Sequence, residues 1–165
     1  MQILQSDRVL FIKSNLEDNK FHRFKKMTSK EQGLNPSDEE YNYVDQATSE
    51  TEVTSYAPEI SFEFNGDDEV KAQEPIMDIY ENEKLGDDAV VTGVEVWVKK
   101  AIEGHDGKYK AYQRKFTVIP DTFGGDPGPM IYSGSLKAKG KKVWGYVTTD
   151  DDFATVTFTE GEPTK

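Results

Sequence analysis

Strict alternation of apolar and polar residues is the feature of this sequence that most constrains its fold. Ile60, Phe62 and Phe64 alternate with Ser61 and Glu63, which is the period-2 pattern of a strand with one buried face. A longer run repeats the pattern and puts five residues on one strand face: Val90, Thr92, Val94, Val96 and Val98. We therefore expect a chain built mainly from β-strands.

Further strands are predicted before and after these two segments. Near the N-terminus we expect strands over 8–13 and 21–27, joined by the polar turn SNLEDNK. The segment GHDG at 104–107 is typical of a turn that joins the valine-rich strand to a strand over 109–120, which Pro120 would end.

Two more strand features are expected toward the C-terminus. The lysine-rich segment KAKGKK predicts a second hairpin that turns at Lys139–Gly140. The segment FATVTFTE predicts a last strand whose buried face carries Ala154, Val156 and Phe158.

One helix and one long arm complete the expected architecture. Pro75 suits a first helical position, and Gly86 suits a helix stop, which predicts a short helix over about 74–84. The polar stretch 28–56 lacks a helical period and is expected to form a long arm or extended hairpin loop. At 165 residues the chain suits a single domain. The expected fold is an antiparallel β-sandwich or small barrel with one flanking helix.

Negative charge is concentrated in one part of the chain. The formal net charge is −11, and residues 38–81 hold fourteen acidic residues and one basic residue, Lys71. We do not expect such a surface to bind nucleic acid tightly, because phosphate binding depends on protein cations that displace the counterions of the nucleic acid. The absence of cysteine removes disulfides and thiolate chemistry from consideration.

No sequence motif supports a catalytic or cofactor site. With 31 acidic residues, some adjacent carboxylates are expected by chance. The clusters NGDDE and TDDDF lack the ligand spacing of a calcium loop. FGGDPGP lacks the lysine of a phosphate-binding loop, and no GxSxG elbow occurs. We expect no enzyme activity, no cofactor and no metal.

The segment KAKGKK offers two interpretations. Four lysines, Lys137, Lys139, Lys141 and Lys142, are close together there, and lysines commonly protect exposed strand edges. The alternative is that this basic segment meets the acidic zone of an identical neighbour, which favours head-to-tail association.

Several segments together resemble the major tail proteins of long-tailed phages of Gram-positive bacteria. The segments that carry the resemblance are LNPSDEEYNYVDQATSETEVTSYAPEISFEF, EPIMDIYENEKLG and SGSLKAKGKKVWGYVT followed by ATVTF. The resemblance implies a tail tube fold, in which six copies join their sheets into a ring and the rings stack into a tube that carries DNA.

The resemblance also implies roles for particular residues. The 28–56 arm would bridge adjacent rings through Tyr41, Tyr43 and Val44, and Lys137, Lys139, Lys141 and Lys142 would pair with acids of a neighbour. An acidic bore would repel DNA evenly and let it slide. The candidates for lining such a bore are Glu59, Glu63, Asp67, Asp68 and Glu69. The implied partners are other copies, the tape measure, tail terminator and distal tail proteins, and DNA that passes without specific binding.

The implied location is the virion, after synthesis in the host cytoplasm. The apolar run at 9–12 is too short to cross a membrane, so no membrane span is expected. Two alternatives remain at this point. One is a tube subunit of a contractile tail or of a tail-like bacteriocin. The other is a calcium- or carbohydrate-binding β-sandwich, which predicts that Trp97 or Trp144 is exposed.

Overall fold

The computed structural model of the protein describes residues 1–13 and 20–163. The predicted turn SNLEDNK lies outside these residues, apart from its last residue. Within the described residues the chain forms eleven strands and one α-helix. The strands are β1 Arg8–Lys13, β2 Lys20–Arg23, β3 Met27–Gly33, β4 Ser37–Tyr41, β5 Glu50–Ser55, β6 Glu59–Asn65, β7 Val90–Ile102, β8 His105–Gly124, β9 Ile131–Ala138, β10 Val143–Thr148 and β11 Thr155–Glu160.

Six strands close into an antiparallel barrel. Their order is β10–β11–β2–β1–β7–β8, and β8 pairs again with β10 through residues such as Tyr112 and Trp144. The barrel interior is filled by apolar side chains from all six strands: Val9, Phe11, Phe21, Val94, Val96, Ala111, Val147 and Val156. Within the barrel each of these strands pairs with a neighbour on both sides, so closure removes the exposed edges that an open sheet would have.

A second, open sheet extends from the barrel because β8 is 20 residues long. The N-terminal part of β8 belongs to the barrel, and the C-terminal part continues into the order β8–β9–β6–β3. Ile60, Phe62 and Phe64 of β6 are buried, whereas Ser61 and Glu63 are exposed. The alternation that predicted this strand is therefore confirmed.

The helix covers the inner face of the open sheet. α1 runs from Glu74 to Asn82 and begins with Pro75 in its first turn, as predicted. It buries Ile76, Ile79 and Tyr80 against the open sheet in a second core, which also contains Phe64 and Leu136. Glu83, with φ of 48°, adopts the left-handed conformation that ends the helix, so the helix stops before the predicted Gly86 stop.

The valine-rich strand is buried on both faces over its central part, and not on one face as a half-buried strand would be. Val94 and Val96 point into the barrel, whereas Val91 and Gly93 face the second core. A Cβ on Gly93 would lie 3.1 Å from the ring of Phe116, so a larger residue here would force that ring to shift by a few tenths of an ångström. The predicted hairpin to the next strand is confirmed, but its turn is formed by Glu103 and Gly104 and not by the whole of GHDG, because Ile102 pairs with His105, the first residue of β8.

Two strand predictions near Pro120 and Gly140 are wrong. β8 continues through Pro120 to Gly124, because β7 stops pairing at Thr117 and leaves that edge of β8 open, where proline is tolerated. β9 and β10 do not form a hairpin with each other: both pair antiparallel with the same edge of β8, one after the other. The true hairpin turn therefore lies between Gly124 and Ile131.

Two smaller expectations also differ from the structure. In the last strand Val156 is buried and Phe158 is half-buried, but Ala154 precedes β11 and is exposed. The predicted arm at 28–56 is narrower, because residues up to Gly33 pair with β6 as part of the open sheet. None of the described helices has the length and apolar character needed to cross a membrane.

Candidate assembly surfaces

The exposed face of the open sheet is polar and carries more acidic than basic residues. We call it the outer sheet face, and its central residues on β3, β6 and β9 are Glu31, Glu59, Ser61, Glu63, Ser133, Ser135 and Lys137. Glu59 pairs in register with Lys137, and Glu63 pairs with Ser133. The acidic candidates Glu59 and Glu63 thus lie on one face of one strand, as their spacing of four residues requires.

The other three acidic candidates are not on this face. Asp67, Asp68 and Glu69 lie in the loop between β6 and the helix. The Asp67 carboxylate accepts a hydrogen bond from the Glu69 amide at 2.9 Å, and the Asp67 amide donates to the side chain of the buried Gln73 at 2.8 Å. These contacts fold the loop upon itself, and the structure therefore divides the five acidic candidates into two groups.

Both edges of the open sheet are unpaired among the described strands. β3 pairs only with β6, and β8 beyond Thr117 pairs only with β9. Four large apolar side chains are exposed at or near the β8–β9 end: Ile119, Phe123, Met130 and Ile131. Unpaired edges with exposed apolar residues are ready to pair with another chain.

β4 and β5 form a separate two-stranded hairpin outside both sheets. We call residues 37–55 the acidic hairpin, because they include six acidic and no basic residues. Every residue of β5 is exposed, and in β4 only Tyr41 is half-buried. At its base, Ala57 donates its amide to the Leu34 carbonyl at 3.0 Å, and the Asn35 side chain donates to the Ala57 carbonyl. The hairpin is thus held at its base, and it pairs with none of the other strands that the structure describes.

The tip of the acidic hairpin carries the predicted apolar anchors. Tyr41 and Tyr43 stack with their ring centroids 6.2 Å apart, and Val44 is fully exposed. The Tyr41 hydroxyl donates to the Glu39 carboxylate at 2.8 Å, and this bond raises the pKa of Tyr41. A two-stranded hairpin has little stability alone in water. The exposed aromatic residues of this hairpin are therefore candidates for contact with another protein surface.

The four candidate lysines do not form one basic tip. Lys137 lies on the outer sheet face, and Lys141 is exposed in the connection between β9 and β10. Lys139 makes an ion pair of 2.5 Å with Asp87 of its own chain, which lowers the pKa of Asp87. Lys142 lies over the Tyr112 ring at 4.4 Å. The hairpin predicted to bring them together does not exist, which explains their separation.

Lys142 belongs to a surface that the sequence does not predict. We call it the cation–aromatic surface, and it consists of Arg8, Trp97, Lys110, Lys142 and Trp144 on the outside of the barrel, packed over the buried ring of Tyr112. Trp97 and Trp144 stack at 6.0 Å. Arg8 lies 4.6 Å from the Trp97 ring, and Lys110 lies 4.9 Å from the Trp144 ring. Such cation–π contacts stabilise by about 0.5–1 kcal/mol each where exposed.

A buried glutamate anchors this surface. Glu95 is 1% exposed, and its carboxylate contacts Arg8 at 2.5 Å and Lys30 at 2.8 Å. Tyr112 donates its hydroxyl to the same carboxylate at 2.8 Å. Burial raises the pKa of Glu95, but attraction to Lys30 and Arg8 outweighs burial, and the pKa falls below its ordinary value. Burial and the neighbouring Glu95 raise the pKa of Tyr112.

Sequence patterns could not have revealed this surface. Its residues come from β1, β7, β8 and β10, and only the barrel closure between β8 and β10 places Trp144 against Tyr112. The one available signal is that Lys110, Tyr112 and Arg114 alternate along one strand face. Among residues 1–13 and 20–163, no three acidic or histidine side chains are grouped as metal ligands.

Comparison with known proteins supports the fold. No family model matches the sequence, and no curated protein matches it. A solved structure with a similar chain is the cryo-EM structure of the anti-feeding prophage baseplate, 6-fold symmetrised. That chain is 8% identical with a TM-score of 0.50, and the match covers 87% of this chain and 95% of that chain. At this identity the likeness shows the fold alone, and the expected mainly-β fold with a barrel and one short helix is confirmed.

Proposed function

We propose that this protein is a structural subunit of a phage tail tube, which assembles with copies of itself into stacked rings that conduct DNA. The observation that carries the proposal is the open sheet, which has two unpaired edges among the described strands and a polar outer face with three glutamates and one lysine. The barrel and helix bury the opposite face of this sheet, so the unpaired edges and the outer face remain available for assembly.

Edge pairing between copies accounts for the geometry of the open sheet. If the β3 edge of one copy pairs with the β8 edge of the next, each copy contributes four strands to a continuous closed sheet. Closure would satisfy backbone groups that a lone subunit exposes to water and would cover the apolar residues near the β8 edge. Six copies are proposed, in keeping with the resemblance and with the six-fold symmetry of the prophage assembly.

The outer sheet face would then line the bore. Glu31, Glu59 and Glu63 repeated around a ring would repel duplex DNA, which carries about one negative charge per 1.7 Å of its axis. Lys137 partly offsets these carboxylates, and the serines of β6 and β9 supply uncharged polar groups. DNA would meet no cluster of cations that could hold it in place. The acidic hairpin would contact the adjacent ring.

The proposed location is the phage virion, after synthesis in the host cytoplasm. The proposed partners are other copies and the tape measure, tail terminator and distal tail proteins. A contractile tail or a tail-like bacteriocin could use the same subunit, and a sheath gene beside this gene would distinguish those cases. We propose no enzyme activity.

Negative-stain electron microscopy of concentrated protein, with a sizing column alongside, tests the proposal. Rings or hollow tubes, together with early elution from the column, are expected. A protein that remains monomeric at high concentration, including after the addition of preformed tail-tip complexes as nuclei, would contradict the proposal.

A carbohydrate-binding module is the second candidate, because Trp144 is 47% exposed beside an open cleft. It predicts a monomer whose melting temperature rises with a soluble glycan or with calcium. Thermal melts across a glycan panel, with and without calcium, separate this candidate from the tube subunit, whose melting temperature should not change with either addition.

A further inference from the structure

We infer that the cation–aromatic surface is the docking site for the acidic hairpin of another copy of this chain. The inference rests on the proposed function, in that it names the two surfaces that join neighbouring copies. It deepens that function through contacts that the open sheet does not provide.

The two surfaces carry opposite charge. Outside the acidic zone, the cation–aromatic surface presents Arg8, Lys110 and Lys142 around Trp97 and Trp144. The acid beneath these rings, Glu95, is buried and already paired. The acidic hairpin carries six carboxylates and no cation. In a chain of net charge −11, these are two exposed surfaces of opposite sign, and opposite potentials direct the register of association.

The cation–aromatic surface also adjoins a cleft. The cleft has a volume of about 650 Å³, opens beside Trp144 and Lys110, and is lined also by Ile102, His105 and Pro163 and by two acids, Glu103 and Glu162. The hairpin tip presents Tyr43 and Val44 in the connection between β4, which ends at Tyr41, and β5, which begins at Glu50. The residues that contribute most of the binding energy of a protein interface are often tyrosine, tryptophan and arginine in well-packed pockets. The apolar residues that line the cleft therefore suit Tyr43 and Val44 at the tip, and the cations beside the cleft suit the acidic strands of the hairpin.

The acidic hairpin is long enough to contact a neighbouring copy. From its base at Asn35 to Val44 the hairpin spans ten residues, or about 30 Å of extended chain. That length is enough to leave the body of one subunit and cross onto the barrel of the next. All of β5 is exposed on both faces, so the hairpin has side chains free to dock on either side.

A neutral sugar fits this surface less well. Sugars bind by stacking on bare aromatic faces, but Tyr112 is buried, and Lys110 lies over the Trp144 ring at 4.9 Å. Burial and the neighbouring Arg114 and Arg8 lower the pKa of Lys142. A carboxylate placed beside Lys142 would relieve this repulsion, whereas a sugar hydroxyl would not.

Site-specific cross-linking tests the inference directly. The chain has no cysteine, so Val44→Cys carries the only thiol, and benzophenone maleimide will label that position alone. The labelled variant is mixed with ¹⁵N-labelled parent chain under assembly conditions, irradiated and digested with trypsin. We expect cross-links from the hairpin tip to the ¹⁵N peptide 143–165, which follows Lys142 and contains Trp144. The control, Asp126→Cys in the turn between β8 and β9, should not mark that peptide.

A charge reversal provides a second measurement. Lys110→Glu places an acid on the cation–aromatic surface, and Lys115→Glu makes the same change on the other face of the same strand, where the side chain is also exposed. We expect Lys110→Glu to raise the concentration needed for assembly by at least about tenfold, and Lys115→Glu to leave it within about twofold. Far-ultraviolet circular dichroism and melting temperature show whether each variant is folded.

The outcomes separate the inference from the proposed function. Rings or tubes in which Val44 cross-links to a different surface overturn the docking and leave the tube subunit intact. Assembly that Lys110→Glu does not change has the same meaning. Complete absence of assembly overturns both. Tight binding of a fluorescent single-stranded oligonucleotide, lost in Lys110→Glu while cross-links to 143–165 are absent, would assign the surface to nucleic acid.

Discussion

Replacing Glu95 with glutamine removes one buried charge and leaves two cations beside it. Arg8 lies 2.5 Å and Lys30 lies 2.8 Å from the Glu95 carboxylate, and Tyr112 donates a hydrogen bond to it. The Glu95 side chain is 1% exposed, the Lys30 side chain is 12% exposed and the Arg8 side chain is 34% exposed. Lys30 therefore stays confined near the vacated charge, whereas Arg8 can turn toward water.

The expected cost follows from this geometry. Removing one partner of a buried ion pair costs about 3–5 kcal/mol. Because Arg8 can regain water and glutamine retains a hydrogen-bond acceptor, we expect the lower end of that range, about 3 kcal/mol. In a chain of this size such a loss lowers the melting temperature by about 6–12 °C.

The dependence on pH distinguishes a charge effect from a packing effect. The pKa of Glu95 is lowered in the folded protein, so its contribution is complete above the unfolded pKa near 4.5 and is lost as the pH falls through the folded value. The difference between parent and Glu95→Gln should therefore be largest near pH 7 and shrink below about pH 4.5.

Urea unfolding of both proteins from pH 3 to pH 8 measures this difference. The control is Asp87→Asn, which breaks an ion pair of the same 2.5 Å length on an almost fully exposed carboxylate and should leave the unfolding midpoint unchanged. Equal stability of Glu95→Gln and parent at pH 7, or a loss that is the same at pH 3.5 as at pH 7, would refute the reasoning.

Three further predictions concern the core, the helix contact and the acidic hairpin. Gly145→Ala places a Cβ 2.1 Å from the Thr159 carbonyl oxygen and 2.7 Å from the Phe158 ring, and it should cost at least about 3 kcal/mol in urea unfolding. Gly140→Ala, whose Cβ meets open space, should change stability by less than about 0.5 kcal/mol. Equal effects of the two substitutions would contradict the packing argument. Tyr80→Phe loses a hydrogen bond to the Ser133 carbonyl and should cost about 1 kcal/mol. Burial raises the pKa of Tyr80 to about 12, so the parent should also lose stability as the pH rises above 10 and the variant should lose less, as alkaline melts will measure. Chymotrypsin should cut near Tyr41 and Tyr43 in the monomer and spare them in the assembly, and equal cleavage rates in both states, followed by mass spectrometry, would count against a docked hairpin.

The sequence predicts the local elements well wherever a single pattern decides them. The alternation around Phe62 follows from burial of one face, and α1 follows from Pro75 and the spacing of Ile76, Ile79 and Tyr80. These signals depend on neighbours within one element. The resulting fold class, mainly β with one short helix, needs no knowledge of strand order.

Strand order is where the patterns fail. Nothing local to Lys139–Gly140 distinguishes a hairpin turn from a break between two strands that follow one edge of β8. Likewise, Pro120 ends a strand only if both of its edges are paired, and the edge beyond Thr117 is open. Both errors arise because the end of a strand and its pairing depend on partner strands that are distant in sequence.

The candidate assembly surfaces were predicted only in part, because some of their residues are brought together by strands that are distant in sequence. Glu59 and Glu63 share a face because of their spacing along β6, and Tyr41, Tyr43 and Val44 lie at or near the tip of an exposed hairpin. The cation–aromatic surface could not be predicted, since Trp97, Tyr112 and Trp144 meet only when the barrel closes. Long-range pairing, and not residue type, creates that surface.

Cryo-electron microscopy of the assembled protein, at a resolution that separates strands, shows which strand edges join neighbouring copies and which sheet face lines the bore. We expect a closed ring in which the β3 edge of one copy pairs with the β8 edge of the next, and in which Glu59 and Glu63 face the bore. A map in which β6 turns its exposed face outward, or in which copies meet without joining the edges of the open sheet, would contradict it.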